Sequence, residues 1–154
     1  MATDIINVFV SHYHNDEENI GKMKELLGDK FSIRNYSVTS DKYNNAKSED
    51  YIKSMLRPLI NQASIIICII GPNTHDSKWV NWEIEQAIKQ GKRVIGVYLW
   101  GAKDSDIPPA LEDGADAMVG WNHDSIINAI NGENTFTNAD GSSRPDVDTP
   151  RVIC

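Results

Sequence analysis

The sequence predicts an α/β domain with a five-stranded parallel sheet and helices on both faces. Three observations carry that prediction. Short apolar runs alternate with amphipathic helical segments along the chain. One run, Ser64 to Ile70, reads Ser-Ile-Ile-Ile-Cys-Ile-Ile, the continuous β-branched pattern of a strand covered on both faces. Most connections are also short, as right-handed crossover units require.

Taken in order, Ile5 to Ser11 forms the first apolar run, and from Asp16 the residues Ile20, Met23 and Leu27 recur at helical spacing until Gly28. Phe31 and Ile33 alternate with polar neighbours as a short second strand. A loop rich in Ser, Asn, Asp and Lys follows from Ser37 to Lys47. Ser48 is a candidate N-cap for a helix whose apolar face is Ile52, Met55, Leu56, Leu59 and Ile60. Pro58 lacks an N–H, so it is expected to kink that helix or divide it in two. The β-branched run is the central strand, ended by Gly71-Pro72. Ser77 or Asp76 then opens a helix with Val80, Ile84, Ala87 and Ile88 as its stripe, closed by Gly91.

Arg93 to Leu99 is the fourth strand, Asp106-Ile-Pro-Pro a loop, and Ala117 to Trp121 a short fifth strand. Asp124 is expected to cap a last helix containing Ile126, Ile127 and Ile130 before Gly132. From Glu133 periodicity ends. Residues 1–131 therefore read as one domain and 132–154 as a polar, extended tail dispensable for the core. The expected strand order is the flavodoxin-like 2-1-3-4-5. Loops after the first and third strands then flank the topological switch point, where ligands of open α/β sheets collect. That places a site among Ser11 to His14, the loop after Tyr36, and Asn73 to Glu83.

The 154 residues, 40% hydrophobic and 24% charged, suit one globular domain, and no apolar run approaches the ~20 residues that span a bilayer. No membrane association is expected. Met1 to Ile6 lacks a basic n-region, and Cys68 and Cys154 suggest no disulfide framework, so a cytoplasmic location is expected. The net charge of -7, without a cluster of Lys and Arg, argues against a nucleic-acid partner.

The strongest local feature is Ser77-Lys-Trp-Val-Asn-Trp-Glu83-Ile-Glu85-Gln-Ala87. Trp79 and Glu83 are four apart and share a helix face, offset from the apolar stripe. Two residues of helix turn through about 200°, so only one of Glu83 and Glu85 can face a pocket, and the spacing from Trp79 selects Glu83. On the residues alone, two readings stand. Glu83 is a first-turn carboxylate favouring the helix dipole, or it is an acid, base or electrostatic stabiliser beside an indole.

The same segment resembles the serine-tryptophan-x-x-x-glutamate signature of TIR domains. The run from Val8-Phe-Val-Ser11 through Ile70-Gly-Pro-Asn-Thr74 to Gly91-Lys-Arg-Val-Ile-Gly96 is similar to the TIR-like proteins of bacterial Thoeris antiviral defence. The resemblance covers about Ile5 to Trp100. It implies a TIR-like fold, NAD as substrate with no separate cofactor, and cleavage at the nicotinamide glycosidic bond that requires Glu83. It further implies an ADP-ribose-derived signal, cyclic or conjugated, that activates a downstream effector; a homo-oligomer is compatible with it. Nicotinamide leaves as a neutral group from a cation, so one carboxylate can suffice. In this scheme Glu83 holds a ribose hydroxyl and stabilises oxocarbenium-like charge, while Trp79 packs near the nicotinamide ribose.

Phe9, Ser11, His12 and Tyr13 match the family's first-strand end, which lines the nucleotide pocket; on the residues alone Phe9 is equally a core side chain. Ser37 and Asn73 occupy the matching loops and are also ordinary turn residues. Helix N-termini and one of Arg34, Lys42 or Lys47 could neutralise the pyrophosphate. His12, His14 and His75 lack a Cys or carboxylate pair at ligand spacing, so no metal is expected. A phosphoacceptor domain would need acids where the chain has Ser11-His12 and Gly71-Pro72, and a dinucleotide-binding Rossmann domain would need a glycine-rich first turn. Besides the NAD-cleaving enzyme, two alternatives remain: a non-catalytic TIR interaction module and a nucleoside deoxyribosyltransferase-like enzyme.

Overall fold

A computed structural model describes residues 6–12, 18–28, 30–34, 49–72 and 74–139. Tyr13, His14, Ser37, Lys42, Lys47 and Asn73 lie outside the described residues, as do residues 140–154. The strands are β1 (Ile6–Ser11), β2 (Phe31–Arg34), β3 (Ile65–Ile70), β4 (Arg93–Tyr98) and β5 (Ala117–Gly120). The helices are α1 (Glu18–Leu27), α2 (Glu49–Gln62), α3 (Lys78–Lys89), α4 (Pro109–Gly114) and α5 (His123–Ile130). All pairings are parallel, in the order β2-β1-β3-β4-β5. This is the flavodoxin-like order predicted from the sequence.

Alternation along the strands divides the core in two. On one face Phe9, Ile66, Cys68 and Ile70 meet Ile52, Leu56 and Ile60 of α2 and Val80, Ile84 and Ala87 of α3. On the other, Val8, Val10, Ile67 and Ile69 meet Ile20, Met23 and Leu27 of α1 and Ile126 and Ile130 of α5. Every residue of β3 is buried, which explains its unbroken Ile run: a central strand has no wet side. Among the described residues, no helix is long and apolar enough to cross a membrane.

Three expectations are corrected. Pro58 does not divide its helix, because α2 runs unbroken through it. Buried Ile52, Leu56 and Ile60 hold both sides of the proline to the sheet, offsetting a local cost of roughly 3 kcal/mol. The segment after Asp106 is not all loop: Pro109 opens α4 as its first helical residue, where a missing N–H costs nothing. The cap of α5 is Asn122, whose side chain accepts from the Ser125 N–H at 3.0 Å, and not Asp124.

The stretch following Asn131 also does more than extend into solvent. The Met118 N–H donates to the Thr135 carbonyl at 2.8 Å, and the Thr137 N–H donates to the Met118 carbonyl at 2.9 Å, so Phe136 bridges to the outer edge of β5. Tyr98 donates its hydroxyl to the Thr137 carbonyl at 2.8 Å, and Arg93 donates to the Glu133 carbonyl at 2.7 Å. Residues 133–139 thus cover a sheet edge that would otherwise present unpaired backbone groups. A chain ending at Asn131 is expected to melt roughly 5–10 °C below one ending at Ala139, since losing these bonds and Phe136 costs on the order of 2–4 kcal/mol. Equal melting temperatures in a calorimetric scan would show that this edge cover is energetically idle.

Candidate active site

Strand β1 delivers Ser11 to the carboxyl end of the sheet, beside β3 in the register Ser11↔Cys68. Beyond β3, Gly71 turns the chain. Its N–H donates to the Thr74 hydroxyl at 2.9 Å, while the Thr74 N–H donates to the Gly71 carbonyl at 3.1 Å. Thr74 is fully buried, so this reciprocal clamp fixes the path by which the chain enters α3. Ser77 is the N-cap of α3, accepting from the Val80 N–H at 3.2 Å, which settles the choice between Ser77 and Asp76.

The helix then places Glu83 in its inward row, with Val80, Ile84 and Ala87 as its buried companions. This differs from the offset face expected from the spacing. A carboxylate occupies a core position, only 4% exposed, and Ser11 donates to its Oε1 at 2.5 Å. The first turn of α3 carries no acid, so Glu83 is too far along the helix to serve as a complement to its dipole. Glu85 is exposed, as its rotation by about 200° requires.

Burial pushes the Glu83 carboxyl up to about 8, against the opposing pull of the Ser11 hydroxyl, which favours the charged form. An acid of this kind is largely neutral at pH 7. Removing the hydroxyl in Ser11→Ala is expected to raise that titration midpoint further. Carbon-detected NMR of the Glu83 carboxyl would read the shift, and an unchanged or lower midpoint would mean that the bond contributes nothing to the charged form.

Around this pair, His12 is buried at the end of β1, and Trp79 is half-buried on the flank of α3. The Trp79 ring meets Trp82 edge-on at 6.0 Å. Phe9 does not face a ligand space: it is fully buried two residues below Ser11 on the same face of β1, packed in the core. The structure therefore joins Ser11, His12, Trp79 and Glu83 at one end of the sheet and assigns Phe9 to its support, because residues of like parity on a strand share a face and the lower one is covered by helices.

A sequence model of the Thoeris protein ThsB, TIR-like domain, matches residues 9–104. The chain belongs to this family. The matched span contains Ser11, Thr74, Trp79 and Glu83, so the whole described site lies within the family's TIR-like domain. A curated relative, "Putative cyclic ADP-D-ribose synthase ThsB1" of Bacillus cereus, is 30% identical over 57 residues, covering 37% of this chain. The match spans 30% of that relative's length. Two solved structures share the fold. A CMP N-glycosidase, BcmB, from Clostridium botulinum superposes with TM-score 0.51 at 18% identity, over 81% of this chain and 98% of its own. A "Putative pilus assembly-related protein" from Burkholderia pseudomallei superposes with TM-score 0.54 at 11% identity, over 85% and 90%.

Two residues that fix the elements around the site escape a reading of periodicity. Thr74 carries a weak signal, a hydroxyl three residues beyond a strand-ending glycine. Asn81 carries none: it lies inside α3, and its Oδ1 accepts from the Ala110 N–H at 2.8 Å, tying the start of α4 to the site helix.

Proposed function

We propose that this TIR-like domain cleaves NAD at its nicotinamide glycosidic bond and forms an ADP-ribose-derived product, cyclic or conjugated, that signals to a downstream effector in antiviral defence. The observation that carries the reading is Glu83 itself: a buried carboxyl, held by Ser11 at 2.5 Å, at the switch point of an open α/β sheet. Membership of the ThsB TIR-like family and the name of the Bacillus cereus relative support it.

The chemistry suits one carboxylate. The substrate's pyridinium carries a positive charge, which draws Glu83 into its ionised form as it binds, the carboxyl proton passing to solvent before the pocket is filled. One carboxylate oxygen stays with Ser11, and the other accepts from a ribose hydroxyl. As the glycosidic bond breaks, its electron pair leaves with nicotinamide and positive charge passes to the ribose. The carboxylate, in surroundings with little water, stabilises that charge more strongly than it could in bulk solvent. Nicotinamide departs neutral, so no general acid is needed. A nucleophile, whether water, an atom of the same molecule or a second substrate, then closes the reaction.

The test is to incubate the protein with NAD and with a panel of nucleosides, following nicotinamide release and identifying the product by mass spectrometry. Loss of NAD with appearance of an ADP-ribose derivative supports the reading. Base release from nucleosides with NAD untouched would favour a nucleoside-processing enzyme. Inactivity on both, also with extract of infected cells added, would favour an interaction module.

A further inference from the structure

On α2, Lys53 and Arg57 stand one turn apart and reach the same indole: the Lys53 Nζ lies 5.7 Å and the Arg57 Cζ 5.5 Å from the centroid of Trp82. Like charges at this spacing on a helix repel. The chain is acidic, with a net charge of -7, yet among the described residues neither cation forms an ion pair with a carboxylate. Attraction to the ring holds them without using up the N–H donors that an anion would accept, and a guanidinium offers five. Arg57 is exposed and Lys53 half-buried, so their head groups are within reach of a ligand. Trp82 in turn touches Trp79, and Trp79 is one helical turn from Glu83 on α3.

We propose that Lys53 and Arg57, mounted on Trp82, form the anion-binding half of the site and take the diphosphate of a dinucleotide substrate. This rests on the NAD reading for the choice of ligand but not for the existence of an anion site. A diphosphate between the two side chains would relieve their mutual repulsion and add charge-assisted hydrogen bonds. The cationic end of the same molecule would then lie toward Glu83. The site sorts charge accordingly: two cations on the α2 side for the phosphates, one carboxyl at the sheet for the pyridinium.

The probe is ADP-ribose, which keeps the diphosphate and has no nicotinamide bond to cleave. Binding is measured by calorimetry for the wild-type chain, for Lys53→Gln, Arg57→Gln and their double variant, and for Arg57→Lys. A Lys22→Gln/Lys24→Gln variant removes equal charge from exposed positions of α1 on the opposite face of the sheet. Each single Gln variant is expected to weaken binding severalfold, and the double variant tenfold or more. Arg57→Lys should retain most of the affinity, and the α1 variant all of it. If the double variant fails to fold, the single variants decide. Unchanged affinity in the Gln variants, an equal loss in the α1 control, or no binding of ADP-ribose by the wild type would overturn the proposal. The two readings separate cleanly. Binding that depends on the pair without nicotinamide release would refute the cleavage mechanism alone, and NAD cleavage with unaltered KM in the double variant would refute the anion site alone.

Discussion

Glu83→Gln is expected to lower the rate of nicotinamide release from NAD by a factor on the order of 10² or more, while Glu85→Gln leaves it within about twofold. Glutamine preserves the size of the side chain and its ability to accept from Ser11, but cannot acquire the negative charge that opposes the ribosyl cation. Glu85 loses an equal charge two residues away, where the side chain is exposed and turned from the sheet. The pair of variants therefore separates charge at the site from charge near it. Both would be purified, checked for native circular dichroism, and compared in initial-rate assays. An inactive Glu85→Gln with an active Glu83→Gln would reverse the assignment. Full activity in both would remove the basis for an electrostatic role of Glu83 and place the catalytic group elsewhere in the chain.

The same substitution is expected to make the protein more stable at alkaline pH. In the folded chain the Glu83 carboxyl is raised from 4.5 to about 8 because burial disfavours its charge. The folded state thus holds a proton that the unfolded state has released. Its contribution to stability is fully present below about pH 4.5 and is lost progressively as pH rises through about 8. The slope approaches 1.4 kcal/mol per pH unit for one such group, roughly several kcal/mol across the window. Glutamine has no such titration. Urea unfolding of the two proteins should give similar stabilities near pH 5, and a Glu83→Gln protein that is more stable by on the order of 2–4 kcal/mol near pH 8.5. Parallel pH profiles for the two would mean that the wild-type carboxyl is well hydrated after all. A variant both more stable and inactive would also show that lost activity is not lost folding, the expected signature of a residue kept for function at the expense of stability.

The architecture was written in local patterns. The all-apolar β-branched run at Ile65–Ile70 marked the central strand, because a strand covered on both faces has no polar positions to alternate with. Gly91, with φ of 74°, ended the site helix where its stripe ran out. Helical rotation allowed only one of Glu83 and Glu85 to face inward, and the four-residue spacing from Trp79 pointed to Glu83. Local reasoning failed where long-range packing overrode it. Pro58 breaks a free helix, but Ile52, Leu56 and Ile60 of α2, buried against the sheet on both sides of it, hold the helix together, and residues 133–139 lack periodicity yet complete a sheet edge through their backbone.

By itself, the sequence determined the class of fold and the positions of its strands and helices, and its resemblance to TIR domains singled out Glu83 as the carboxylate to test. The elements depend on spacings within a few residues, which periodicity reads directly. Only the tertiary structure decided how that carboxylate is held. Ser11 and Glu83 are 72 positions apart, and their 2.5 Å bond exists because β1 and α3 meet at the switch point of the sheet. The same holds for Lys53 and Arg57 around Trp82, brought together from two helices. The burial that lifts Glu83 to about 8 is also a property of the assembled core, since an identical glutamate on an isolated helix would face water and titrate in the ordinary carboxylate range.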